Sequence, residues 1–446
     1  NALHEDPLIH FYEDFLAAYD KNLRKSCGVY YTPQSVVRFI VRAVDNILIR
    51  DFDFPDGLAD DKQEIYKLKD ATDKEYTKKL HRVQILDPAT GTGTFLAEAV
   101  RQIYKKFEGN EGMWPSYVES GLRPRLNGFE LLMAPYTIAH LKLDMLMNGD
   151  ENAPTSNNRT RIFLTNSLEE HHRDANTLFA SWLSDESKQA DSVKRDCPVM
   201  VMMGNPPYSV SSHNDGDWIR NLLSHYKKDL NERNIQPLSD DYIKFIRLGQ
   251  HFIEKNGQGV LGYISNNSYL DGLIHRQMRK TLLDVFDDIY IVNLHGNSKR
   301  KETSPDGGKD ENVFDIMVGT NIGIFVKKPN KSSKKKNEPA TVHYLDLYGA
   351  RKDKYDELDN LSLPNVKSCK DGACPVSTDQ WKILECSAPN YFFVPKDFGA
   401  QDEYEKGLKI DELFKEFNAG LCTEKDDMNI FFNDEDRNTV HNDLLN

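Results

Sequence analysis

The sequence predicts an α/β protein built on a doubly wound, mostly parallel sheet, with helices ahead of the sheet and a connector behind it. Three observations carry that expectation. Short apolar strands alternate with helical stretches from about residue 81 to about residue 335. A glycine-rich turn, PATGTGTF, joins the first of these strands to its helix. The strand VMVMM is apolar throughout, as a strand covered on both faces must be.

The elements follow in order. Residues 7–26 place Leu8, Phe11, Phe15, Leu16, Tyr19 and Leu23 at helical spacing. CGVYYTPQ breaks that pattern at Gly28 and Pro33, and the helix VVRFIVRAVDNILI follows, with Val36, Val37, Ile40, Val41, Val44, Ile47 and Leu48 on its apolar side. Residues 51–80 are polar and read as an exposed insertion after the N-terminal helices of 1–50. RVQILD, LNGFE, RIFLTNSL and CPVMVMMG read as successive strands, with helices LAEAVRQIYKKF and PYTIAHLKLDMLM among them. A helix over DDYIKFIRLGQHFIEKN stops at Gly257. GVLGYISNNSYL and DDIYIVNLHG flank the helix IHRQMRKTLLDVF, and FDIMVGTNIGIFVKK reads as a last strand. The core is expected to span 81–335. KPNKSSKKKN (328–337) is a basic stretch at its end, and 336–446 reads as a connector.

The 446 residues suffice for two or three structural units and a large core. No apolar run reaches the ~18–20 residues of a membrane helix, and no signal peptide opens the chain. The six cysteines (Cys27, Cys197, Cys369, Cys374, Cys386, Cys422) are scattered, as in a reduced cytosolic protein; Cys369 and Cys374 lie close, but nothing completes a metal set. The net charge of −13 argues against strong autonomous nucleic-acid binding, although a basic cleft can sit on an acidic protein. The chain opens on Asn1 and is read as an excised fragment.

Two clusters carry chemistry. ILDPATGTGTFL is strand, acid, glycine turn and helix, and ligands in doubly wound sheets sit at such strand ends. Gly91 and Gly93 allow close backbone approach, and Asp87 sits where its carboxylate could face the amino group of a methionine moiety, or serve only as a local hydrogen-bonder in a tight αβ loop. No G-x-G-x-x-G is present, so a dinucleotide is disfavoured. Glu130 ends the second strand, where an acid can accept from both hydroxyls of a ribose; Asn166 ends the third and suits an adenine edge, or a simple turn.

The second cluster is NPPYS after VMVMM. An amino nitrogen conjugated to a ring is a poor nucleophile, and two acceptors on its hydrogens turn its lone pair toward an electrophilic methyl. The Asn205 side-chain oxygen and the Pro206 carbonyl are those acceptors. Pro206 and Pro207 stiffen the loop, and Tyr208 offers a stacking face.

These residues resemble the gamma-class amino-methyltransferases of restriction–modification systems. GVYYTP (Gly28 to Pro33) resembles motif X, DPATGTGTF motif I, Phe129–Glu130 motif II, NPPY motif IV, GYISNNSYL motif VI and VFDIMVGTNIGIFVKK motif VIII. HFYEDFLAAYD and GVYYTPQSVVRFIVRAVD resemble the methylase part of type ISP enzymes, which join nuclease, helicase and methylase. The resemblance covers about 8–330. It implies a Rossmann-like methyltransferase sheet and S-adenosylmethionine as cofactor. The implied cofactor site adds Tyr31, Thr32, Pro33, Ala89, Phe95 and Ser167 to Asp87, Gly91, Gly93, Glu130 and Asn166. Many family members have Asp where Asn166 stands. The resemblance also implies Phe314 as a second aromatic against the base, although next to Val313 and Ile316 it equally reads as a core aromatic, and methyl transfer to adenine in double-stranded DNA in the bacterial cytoplasm. Nuclease, helicase and target-recognition domains would lie in the full-length chain, the last of these after the 336–446 connector. An amino-methyltransferase for RNA or protein glutamine stays open, as does a non-catalytic DNA-coupling module.

Overall fold

In the computed structural model, the described residues are 32–69, 75–148, 159–170, 180–209, 214–329, 338–364 and 380–414, with 433, 434, 437, 438 and 440. The expected helix at 7–26 and most of GVYYTP, including Tyr31, lie outside them.

Eleven strands are described. β1 (Gln63–Lys69) and β2 (Glu75–His81) form an antiparallel hairpin. The other nine make one sheet: β3 (Gln84–Asp87), β4 (Leu126–Glu130), β5 (Arg161–Leu164), β6 (Val199–Gly204), β7 (Gly259–Asn266), β8 (Asp288–His295), β9 (Thr320–Lys327), β10 (Thr341–Asp346) and β11 (Lys382–Leu384). Their order is β11-β10-β8-β9-β7-β6-β3-β4-β5. Pairs β10–β8, β7–β6, β6–β3, β3–β4 and β4–β5 are parallel; β9 runs antiparallel to both neighbours, as does β11 to β10. The chain steps outward from β3 to β5, then returns to β6 on the other side. The carboxyl ends of β3 and β6 therefore flank a topological switch point, where open α/β sheets bind ligands.

Helices cover both faces. On one face lie α1 (Gln34–Asp51), α2 (Thr94–Tyr104) and α3 (Met133–Asn148). On the other lie α4 (Ala180–Asp196), α5 (Asp217–Lys227), α6 (Asp241–Asn256) and α7 (Arg276–Val285). The sequence reading did not anticipate α4 or α5. α1 begins straight after Pro33, whose carbonyl accepts the amides of Val36 and Val37. It buries Val36, Val37, Ile40, Val41, Val44, Ile47 and Leu48, as its spacing predicts. Each such side chain contributes about 1.5–3 kcal/mol relative to exposure. β6 is buried at every position, and Gly257 ends α6 at φ 81°.

Four expectations change. The 51–80 segment is not all exposed: Phe52, Phe54, Leu58 and Ala59 are core residues, and Asp45 accepts the Leu58 amide at 2.7 Å. Their acidic neighbours hide them, because they follow neither helical nor strand periodicity. The last strand starts at Thr320, and 312–319 is loop. β7 stops at Asn266, and a short helix, Ser268–Asp271, follows.

The fourth change is the largest. The sheet does not end at 335: β10 and β11 extend it, and the compact unit runs to Val394. Within that stretch, α8 (Arg351–Asn360) docks on α1 through Arg38, which grips Asp359 at 3.0 and 2.7 Å, and through Arg42 on the carbonyls of Leu358 and Leu361. A second unit, Pro395–Asn446, holds, among its described residues, the short helices Gln401–Glu405 and Ile410–Leu413. No described helix is long and apolar enough to cross a membrane.

The anchor of α8 is Lys354. Its fully buried ammonium donates to Asp310 at 2.8 Å and to the carbonyls of Leu294 and Glu311 at 2.7 Å. Replacing it leaves a buried carboxylate without its cation. Lys354→Met should lower unfolding free energy by about 3–5 kcal/mol in denaturant melts. A loss under about 1 kcal/mol would mean that α8 is a loosely attached connector after all.

Candidate functional site

The site begins with a carboxylate at the end of β3. Asp87 is 1% exposed. Its Oδ1 accepts the Ala89 amide at 3.0 Å, while its Oδ2 is buried without a partner. Burial raises its pKa, and the nearby Glu130 carboxylate adds to the rise against the Ala89 hydrogen bond, so the group is pushed up to about 8. A buried acceptor left open costs free energy, and a cation seated against it would recover that cost.

The glycine turn is tied down around this group. The Thr90 hydroxyl donates to the Asp87 carbonyl, and its amide to the Phe129 carbonyl, both at 2.9 Å. Gly93 sits at φ 80°, and a Cβ there would meet the Ala139 Cβ of α3 at 3.2 Å, so both conformation and helix packing demand glycine. Glu130 holds the turn from the next strand: Oε2 accepts from Gly91 at 2.8 Å, and Oε1 accepts from Leu131 and Leu132 at 2.9 and 2.7 Å. Burial raises the Glu130 pKa against those three donors. Glu130 is thus first the brace of the glycine turn.

On the other side of the switch point, Gly204 closes β6. A Cβ there would lie 2.8 Å from Asp87 Oδ1 and 3.6 Å from the Tyr263 ring of β7. Glycine at this position is what lets the carboxylate and the phenol ring share the space. The Tyr263 hydroxyl is also buried and unpartnered, and burial beside Asp87 raises its pKa well above that of an ordinary phenol.

Asn205 follows at once. Its Nδ2 donates to the buried Thr32 hydroxyl at 3.0 Å, and its Oδ1 accepts from the Tyr208 hydroxyl at 3.2 Å. The Thr32 contact joins two segments 173 residues apart. The loop is pinned beyond Tyr208 as well, where Asp240, at the N-terminus of α6, accepts the Ser209 amide at 2.8 Å. Burial pushes the Asp240 carboxyl up to about 6. Tyr208 meets Tyr242 edge to face, with centroids 6.1 Å apart.

The structure therefore gathers Thr32, Asp87, Ala89, Gly91, Gly93 and Glu130 with Asn205, Pro206, Pro207 and Tyr208 at the carboxyl ends of adjacent strands. Pro33 enters α1, and Phe95 is core in α2. Ser167 donates its hydroxyl to the Pro88 carbonyl and so supports the turn. Asn166 is a turn residue: its Oδ1 accepts the Leu168 amide at 3.0 Å, and its Nδ2 donates to Glu169 and Asn214. Phe314 is not brought to Tyr208. It is 5% exposed and packs in the cluster on the α1 face, whereas Tyr208 packs against the opposite one. As a core aromatic it has no free face for a base. Sequence reasoning missed Asp240 and Tyr263. Asp240 was visible as an acid just ahead of a helix; Tyr263 lies in the stretch that resembles motif VI, but a tyrosine in a strand reads as core.

Comparison with known proteins gives the family and the fold. The N-6 DNA Methylase family matches residues 3–294. The Type II methyltransferase M.BstVI of Geobacillus stearothermophilus is 25% identical over 230 residues, 51% of this chain and 36% of that protein. Among solved structures, the ATP-dependent Type ISP restriction-modification enzyme LlaBIII bound to DNA gives a TM-score of 0.71 at 25% identity, covering 97% of this chain and 27% of that one. A nuclease-deletion mutant of the Type ISP enzyme LlaGI in complex with a DNA substrate mimic shares the fold, with a TM-score of 0.63 at 23% identity over 89% of this chain and 29% of that one. The chain thus spans 36% or less of the length of these relatives.

The Asp87 assignment has a consequence for stability. Its folded pKa stands above the unfolded value, so the stability it contributes is full below about pH 4 and is lost as pH rises toward 8. Asp87→Asn removes the titration with little change of shape. Without ligand, the variant should gain on the parent steadily between pH 5 and pH 8, by at most about 1.4 kcal/mol per pH unit in urea melts. Parallel stability curves would show that Asp87 is ionised in the empty site.

Proposed function

This chain belongs to the N-6 DNA methylase family, and on that premise we propose that it transfers a methyl group from S-adenosylmethionine to the exocyclic amino nitrogen of adenine in DNA. We assign it as the modification part of a larger restriction–modification enzyme. The observation that carries this reading is the fixed orientation of Asn205. Thr32 accepts a hydrogen from its amide nitrogen, which leaves Oδ1 as the acceptor. One lone pair of Oδ1 receives the Tyr208 hydroxyl, and the other is free for an incoming amine.

The residues around Asp87 fit the proposed cofactor. Its open Oδ2 suits the ammonium of the methionine moiety, Glu130 lies where ribose hydroxyls would be held, and the Gly91–Gly93 turn permits close approach. When bound, the cofactor supplies a methyl group activated by its positive sulfur. The chain's own residues act on the acceptor. Asn205 Oδ1 and the Pro206 carbonyl take the two amine hydrogens, which localises the nitrogen lone pair and aims it. The two prolines, with Thr32 and Asp240 at the loop's ends, keep that pair of acceptors from drifting, so little orientation is left to be won during reaction. Tyr208 offers its ring to the base, a contact worth about 1–3 kcal/mol toward extruding it from the duplex. With Phe314 buried, Tyr208 alone carries the stacking assignment.

The test is direct. Full-length protein, plasmid DNA and labelled cofactor should yield N6-methyladenine on digestion. Asn205→Ala should abolish that product while binding S-adenosylhomocysteine as tightly as the parent in calorimetry. Label found in RNA or protein, or near-parental methylation by the variant, would defeat the reading.

A further inference from the structure

The loop that follows β8 is held far more firmly than a surface connection requires. His295, the last residue of β8, has left-handed backbone at φ 52°, a conformation that is costly for a non-glycine residue. It is kept there by ring contacts on three sides. Nδ1 lies 2.7 Å from Glu302, Nε2 lies 2.8 Å from Asp346, and the ring stacks on Tyr348 with centroids 3.8 Å apart. The Gly296 amide then donates to Asp310, the carboxylate that pairs with buried Lys354. Asn297 caps the turn by accepting the Arg300 amide at 3.1 Å, its own amide donates to Glu302, and Thr303 bridges Lys309. Lys301 is also left-handed, at φ 50°.

All this structure presents one feature, the exposed run Lys299, Arg300 and Lys301. None of the three makes an ion pair within the described residues. The acids of the loop are spent elsewhere: Glu302 on His295, Asp310 on Lys354, Glu311 on Lys309, Asp315 on Arg351, and Asp306 on the Gly308 amide. In a chain of net charge −13, a rigid turn thus holds up three uncompensated cations.

Its place in the fold says what meets them. β8 runs parallel to β7, β6 and β3, so the turn leaves the same carboxyl edge as Asp87 and Asn205. β8 lies three strands from β6, or about 14 Å at the spacing of paired strands. That is less than the width of a nucleic-acid duplex. We propose that Lys299, Arg300 and Lys301 form a phosphate grip on duplex DNA beside the nucleotide presented to Asn205. This rests on the DNA reading above. The moored backbone fixes where the backbone of the duplex lies, while the NPPY loop handles the base.

Anisotropy of a labelled mixed-sequence duplex, titrated with full-length protein and S-adenosylhomocysteine over a salt series, tests the grip. Each phosphate contact adds about 0.9 to the slope of log affinity against log salt. The triple variant Lys299→Gln, Arg300→Gln, Lys301→Gln should lower that slope by about 2–3 and weaken binding at least tenfold at moderate salt. Its cofactor affinity and melting temperature should match the parent's. The control neutralises Lys67, Lys78 and Lys79, exposed on the hairpin that enters β3 from its amino end, away from the site. It should change the slope by less than about 1. An unchanged slope in the first variant, or an equal fall in the control, overturns the grip while leaving the DNA reading standing. A parent that binds no duplex at all overturns that reading, and the grip with it.

Discussion

A buried carboxylate with one oxygen satisfied and one left open is the constraint on which the rest of this structure depends. Asp87 is held at the end of β3 by the Ala89 amide, and no described residue meets its second oxygen. The surroundings are shaped to keep it so. Gly204 removes the side chain that would collide with it, the Tyr263 ring fills the far side, and Glu130 braces the turn that covers it. Gly204 and Glu130 end their strands and Tyr263 lies within β7 beside them, so the sheet's order assembles the pocket. The switch between β3 and β6 is where the chain reverses its build, and there the carboxylate and the NPPY loop become neighbours.

The second half of the site works by rigidity. Asn205 would be free to rotate its amide if only the prolines held the loop. Thr32 settles which end accepts, and Asp240 fixes the loop's exit. These two anchors come from the start of α1 and the start of α6, which pack on opposite faces of the sheet. The positioning of one side chain is therefore paid in the packing of both layers, and a change in either layer would be felt at Oδ1.

Much of this was legible in the sequence, for definite reasons. Strands such as VMVMMG and ILD stand out because burial on both faces requires unbroken apolar runs. Asp87, Gly91, Gly93 and Asn205 stand out because their chemistry or backbone has few substitutes. What was hidden is contact between distant segments. Nothing near Thr32 announces that its hydroxyl meets Asn205. The helix RKDKYDELDN is passed over within the 336–446 connector because it docks by charge, with Lys354 inside and Asp359 on Arg38. Phe314 went the other way: its place next to Val313 and Ile316 suited both a stacking residue and a core one, and packing decided for the core.

The central claim is that the open oxygen of Asp87 receives a cationic ligand group. Near pH 7 the carboxyl, pushed up to about 8, is mostly protonated, and seating an ammonium on it must expel that proton. Titration calorimetry with S-adenosylhomocysteine, run at one pH in buffers of different ionisation enthalpy, counts the protons released. The account predicts close to one proton per ligand bound at pH 7, falling away above pH 9, with none released and much weaker binding in Asp87→Asn. Binding at full strength with no proton exchange, or equal affinity in the variant, would contradict it.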